Sequence, residues 1–134
     1  SQQAAPPPAP TLASPPSPAA ATPPLITGPD NTASQESCDY GYSLNNVTGW
    51  GSHAGRGTQD TSCFFAASVL TSYWDRYGNA SRQPRTVSAP GAVPCSPGQG
   101  ELCDGSNFVM QCVAYPPDKW ITCTGGKNAR VYLF

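Results

Sequence analysis

Six cysteines constrain this chain more than any other feature: Cys38, Cys63, Cys95, Cys103, Cys112 and Cys123. The set is even, and it contains no C-x-x-C pair of the kind that holds zinc. An even set with few charges around it reads as three disulfides in an oxidising compartment. Two of the pairs follow from local geometry. "CSPGQGELC" is a short loop with Pro97, Gly98 and Gly100, whose ends, Cys95 and Cys103, can meet. "MQCVAYPPDKWITC" reads as two strands about a turn at Pro116, Pro117 and Asp118, which sets Cys112 opposite Cys123. Cys38 and Cys63 then pair by elimination. The alternative is that Cys63 joins a strand cysteine, because a helix lying on a sheet brings the two close.

The cysteines divide the sequence. Ten of the sixteen prolines precede residue 31, and "QQAAPPPAPTLASPPSPAAATPPL" has neither an aromatic residue nor a charge. Such a segment cannot bury enough apolar surface to offset its ordering entropy, and its prolines favour an extended form of about 3.1 Å per residue. Residues 1–36 are therefore expected to be a disordered Pro/Ala-rich linker or spacer. Residues 37–134 hold every Cys, Trp and Tyr and are expected to form one disulfide-rich α+β domain. Ser1 reads as the start of a trimmed fragment, with a signal or membrane anchor expected upstream. Seven basic and eight acidic residues, with no basic run, argue against nucleic acid or an anionic membrane as partner. No run of about eighteen apolar residues occurs, so direct membrane insertion by this segment is not expected. The domain is expected to be a monomer with no cofactor and no metal.

"TQDTSCFFAASVLTSYWDRYGN" carries helix signals. Asp60, Thr61 or Ser62 can cap its start, and Gly78 and Asn79 can stop it. Cys63, Ala66, Ala67, Leu70, Tyr73, Trp74 and Tyr77 recur at helical spacing and predict the buried face. "RTVSA", "NFVMQCVAY", "KWITCT" and "ARVYLF" predict strands, with Phe108, Met110, Cys112 and Ala114 alternating against Val109, Gln111, Val113 and Tyr115. The expected fold is α+β, one helix packed on a small antiparallel sheet of three to five strands and stabilised by disulfides. Before the helix, "YGYSLNNVTGWGSHAGRGTQ" predicts a short strand and then an exposed glycine-rich loop.

Candidate chemistry centres on Cys63. A cysteine at a helix start is where a thiolate is favoured, as in cysteine peptidases. A nucleophile needs a base in reach, and the only histidine, His53, lies ten residues earlier; none follows Cys63. A disulfide role is the better fit. "GWGSHAG" lacks the glycine spacing of a nucleophile elbow. Asp60, Asp75, Glu101, Asp104 and Asp118 each suit a cap, a solvated face or a turn. "TGGKN" lacks the helix and spacing of a phosphate loop and reads as a hairpin turn. Catalytic residues are therefore not expected. Tyr40, Tyr42, Trp50, Tyr115 and Trp120 lie where a ring can be exposed to a sugar or peptide. The candidate contact surface is Tyr42, Trp50, His53 and Arg56: a flat ring, an adaptable loop and a guanidinium fork for carboxylate or phosphate.

Three motifs together carry a resemblance. Thr61, Ser62, Cys63, Phe65 and Ala66 give T-S-C-x-F-A. Gly105, Phe108, Met110 and Cys112 give G-x-x-F-x-M-x-C. Cys123, Gly125, Gly126, Asn128, Ala129, Val131 and Tyr132 give C-x-G-G-x-N-A-x-V-Y. Residues 60–134 thus resemble a small extracytoplasmic domain of mycobacterial cell-envelope proteins. "APGAVPCSPGQGELCD" departs from that pattern as an insertion with its own cysteine pair. The resemblance implies secretion, or membrane anchoring in the envelope behind a Pro-rich linker, and no known reaction. The expected function is a non-catalytic sensor, adaptor or wall-binding module, its partner a cell-wall component or envelope protein. The alternative is a small secreted hydrolase acting on wall polymers.

Overall fold

The computed structural model describes residues 22–134. Its helix, α1, spans Cys63–Tyr77. The strands are β1 (Tyr42–Ser43), β2 (His53–Arg56), β3 (Arg85–Ala89), β4 (Cys103–Asp104), β5 (Asn107–Val113), β6 (Ile121–Gly125) and β7 (Ala129–Leu133). They form one antiparallel sheet in the order β1-β2-β7-β6-β5-β3, with β4 paired to the start of β5. The helix touches β2 and β7 and also β3 at the far end, so the sheet curls round it. The α+β class holds, but the sheet has seven strands rather than three to five.

The extra strands come from segments with little strand signal of their own. His53–Arg56 was expected in an exposed loop; instead Ala54, Gly55 and Arg56 are buried. Pairing makes the strand: Ala54 lies opposite Leu133, Gly55 opposite Tyr132 and Arg56 opposite Val131. The Leu25 side chain lies over Gly55, where a Cβ would meet it at 2.5 Å.

The helix starts where its caps place it. Ser62 Oγ accepts from Phe65 N at 3.0 Å, and the Asp30 carboxylate accepts from Cys63 N at 2.9 Å. Two of the donors that no helical carbonyl can reach are thereby satisfied. Gly78 ends the helix in the left-handed conformation, with φ 71°, and its N–H donates to Trp74 O. The buried face is Cys63, Phe65, Ala66, Val69, Leu70 and Tyr73. Phe65 and Val69 thus join the core, while Ala67, Trp74 and Tyr77 are only half-buried.

Strand β5 shows the expected alternation, with Phe108, Met110 and Cys112 inward. Cys112 lies opposite Cys123 on β6, and the two are joined. Cys95–Cys103 and Cys38–Cys63 complete the three disulfides, with Cα–Cα distances of 5.8 and 5.9 Å. All three are the pairs expected from loop geometry and elimination. "TGGKN" is the β6–β7 hairpin turn. Gly126 and Asn128 there have φ 55° and 56°, and a Cβ on Gly125 would meet the Val109 carbonyl at 2.3 Å.

At the free edge, β3 turns the Thr86 N–H and C=O away from the sheet. The Tyr77 hydroxyl meets both: it donates to Thr86 O at 2.8 Å and accepts from Thr86 N at 3.2 Å.

The expectation of a disordered linker over 1–36 divides in two. Residues 1–21 lie outside the described residues. Residues 22–36 are placed against the domain, so the boundary at residue 36 shifts towards the N-terminus. Ile26 N donates to Arg56 O at 3.0 Å, Pro29 bridges Ser37, and Asp30 is buried. Composition alone suggests a spacer there, but the Ile26 and Gly28 ties to Arg56, Leu25 over Gly55 and the buried Asp30 together dock it.

Candidate functional site

Of the four residues expected to form a contact surface, Arg56 and Tyr42 turn inward and only Trp50 and His53 are exposed. Arg56 is 1% exposed. Its Nε donates to Thr61 O at 2.6 Å, Nη1 to Gly28 O at 2.9 Å, and Nη2 reaches Gln59 O and Oε1 at 3.5 Å. The guanidinium therefore binds main-chain carbonyls and ties residues 28, 59 and 61 together. It offers nothing to a ligand, which corrects the expected role. A cation this deep is tolerated because its donors are matched.

Tyr42 and His53 point to opposite faces. Tyr42 pairs with Ala54 and packs on the core beside the helix, whereas His53 pairs with Ser43 and faces outward. Burial, then the nearby Glu36 and Asp30 carboxylates, raise the Tyr42 hydroxyl above its ordinary pKa, so it stays a neutral phenol. His53 is exposed; its ring stacks on Phe134 at 5.6 Å, and Ser52 Oγ lies 3.3 Å from its Nδ1. Trp50 is 41% exposed and donates through Nε1 to Lys119 O at 2.6 Å. Trp120 is buried, with Tyr132 edge-on at 6.2 Å, while Tyr40 and Tyr115 are exposed. Phe134 is the partner that the sequence reading missed.

A second feature lies at the opposite end of the helix axis from Gly78. Here a groove of about 320 Å³ runs between the start of α1, the β6–β7 turn and the chain from Gly91 to Glu101. Phe65, Phe108 and Ala129 form its floor, the two rings edge to face at 5.4 Å. Gly91 and Gly126 flank Phe108 so closely that a Cβ at either would stand 2.5 or 3.2 Å from the ring. Val93, 65% exposed, forms part of the wall.

The polar rim holds Asn31, Thr32, Asp60, Ser62, Glu101 and Lys127. Most of these groups have structural work. Ser62 caps the helix. Asp60 Oδ2 accepts from Asn128 Nδ2 at 2.9 Å, and Oδ1 from Asn31 Nδ2 at 3.5 Å. Glu101 Oε1 accepts from Ser96 N at 2.8 Å and steadies the loop that Cys95–Cys103 closes. Glu101 also lies near both sulfurs of that bridge, but disulfide sulfurs are not the thiolates that bind a metal.

Cys63 is buried and bonded to Cys38, so it is not a thiol. Beside it, Asp30 gathers four donors: Thr32 Oγ1, Cys63 N, Thr32 N and Glu36 N. Burial raises the Asp30 pKa, and these hydrogen bonds more than reverse that, leaving it below its ordinary 3.8.

Three disulfides are compatible with an oxidising extracytoplasmic location. Among the described residues no helix is long and apolar enough to cross a membrane. Comparison with known proteins finds no matching family model, no matching curated protein and no matching solved structure.

Proposed function

We propose that the chain is a non-catalytic binding module that works outside the membrane, taking up a cell-wall component or a segment of an envelope protein. The placement in a mycobacterial envelope comes from the sequence resemblance, and the spacer role belongs to the Pro-rich residues that precede the domain. The observation that carries the binding reading is the groove beside the helix start. It is open, apolar at its floor and rimmed by polar groups, the usual constitution of a small-ligand site. Part of its rim is held in place by the fold: Ser62 caps the helix, and both Asp60 oxygens accept from Asn31 and Asn128. The outward His53–Phe134 pair and the part-exposed Trp50 offer further flat faces to a polymer.

Co-sedimentation with insoluble wall polymer tests this reading. The expected result is that the domain pellets with the polymer, that no soluble fragment is released, and that Trp50→Ala and His53→Ala each weaken the pelleting about threefold. Release of soluble fragments that stops with His53→Ala would instead identify a wall hydrolase.

A further inference from the structure

The groove's rim also specifies its ligand, on the premise that the chain is a binding module. We propose that it binds a short peptide of small apolar residues carrying both a free amine and a free carboxylate, the amine held by Glu101 and the carboxylate by Lys127. Size comes first. A volume of about 320 Å³ is at the lower end for ligand sites, enough for about two or three small residues. The floor comes next. Phe65, Phe108 and Ala129 present apolar surface with few hydrogen-bonding groups, which suits methyl-sized side chains and rejects polar ones.

Charge then sets the polarity. Among the described residues three charged side chains line the groove, Asp60, Glu101 and Lys127. Both Asp60 oxygens already accept from the side-chain amides of Asn31 and Asn128. Glu101 accepts one backbone N–H through Oε1, and among the described residues its second oxygen has no hydrogen-bond donor, which leaves it for a ligand cation. Lys127 is exposed on the β6–β7 turn, next to the Asn128 that holds Asp60. The acceptor and the donor thus sit on separate walls, one on the disulfide-closed loop and one on the hairpin turn. A ligand bearing only one charge would satisfy one wall and leave the other unanswered. A zwitterionic peptide answers both.

The test is an NMR titration of the whole chain with alanyl-alanyl-alanine in three forms: free at both ends, acetylated at the amine, and amidated at the carboxyl. Shifts are expected at Phe65, Phe108 and Ala129 with the free peptide. Each cap should weaken binding about three- to fivefold, the scale of one exposed ionic contact. Glu101→Gln keeps an acceptor for Ser96 N; it should abolish the effect of acetylation and leave that of amidation. Lys127→Ala should do the converse. Equal affinity for all three peptides, shifts confined to His53 and Phe134, or no shifts at all would overturn the proposal. Binding of wall polymer without groove shifts would overturn it while leaving the binding-module reading in place. Cleavage of the peptide during the titration would sink that reading instead.

Discussion

Two disulfides flank the groove, and they hold the chain in different ways. Cys38–Cys63 sits in a corner already tied by other means. Asp30 accepts four hydrogen bonds there, Arg56 clasps the carbonyls of Gly28 and Thr61, and Thr61 Oγ1 accepts from Arg130 N at 2.8 Å. Cys95–Cys103 closes a loop with fewer ties: Cys95 N to Ser106 O, Ser96 N to Glu101, the short turn over Pro97–Gln99, and at its far end Val109 N to Leu102 O with the β4–β5 pairing. Leu102 there is 63% exposed. The same covalent bond is one tie among many in the corner and one of a few in the loop. A densely tied wall and a more lightly tied wall therefore border the groove.

The largest effect is expected at Arg56. Arg56→Ala strands buried carbonyls at about 1–3 kcal/mol each and removes the packing of the long side chain. A loss of about 4 kcal/mol is expected in urea unfolding, with the corner disrupted despite an intact Cys38–Cys63. A loss below about 1 kcal/mol would show that the disulfide, and not the buried cation, carries the corner.

The loop is tested by Cys95→Ala with Cys103→Ala. Chain entropy for so short a loop gives a loss of about 2.5 kcal/mol. Amide exchange should quicken across residues 96–102 and stay slow at Cys63 and Ala66. Exchange that quickens equally in both regions would mean that the two walls are one cooperative unit.

The smallest effect is expected in acid. The Asp30 pKa is depressed in the folded state, so its contribution is complete above the ordinary 3.8 and is lost as pH falls through the lower folded value. Thermal stability should therefore decline below about pH 4, and Asp30→Asn should flatten that part of the decline. An unchanged acid limb in Asp30→Asn would remove Asp30 from the corner's account.

What the sequence reveals and what it hides follow the same division between local and distant causes. Ser62 and Gly78 bound the helix through contacts within a turn of themselves, and both were legible. So were Cys95–Cys103 and Cys112–Cys123, each closed by a short loop or a hairpin. Strand β2 was not, because His53–Arg56 becomes a strand only through Val131–Leu133 and a covering Leu25. Arg56 looked like a ligand-binding fork because its acceptors are main-chain carbonyls, which leave no mark in a sequence. The groove draws on residues from Asn31 to Ala129, and nothing local announces that they meet.

The Tyr77 hydroxyl on Thr86 has a consequence for domains crowded on a surface. A bare outer strand is a template on which a neighbouring chain can stack and begin a fibre. Here one phenolic oxygen occupies both the donor and the acceptor that such a neighbour would need at Thr86. Copies held side by side thus meet a blocked position on that edge, and the residue that blocks it is supplied by the helix rather than by the sheet.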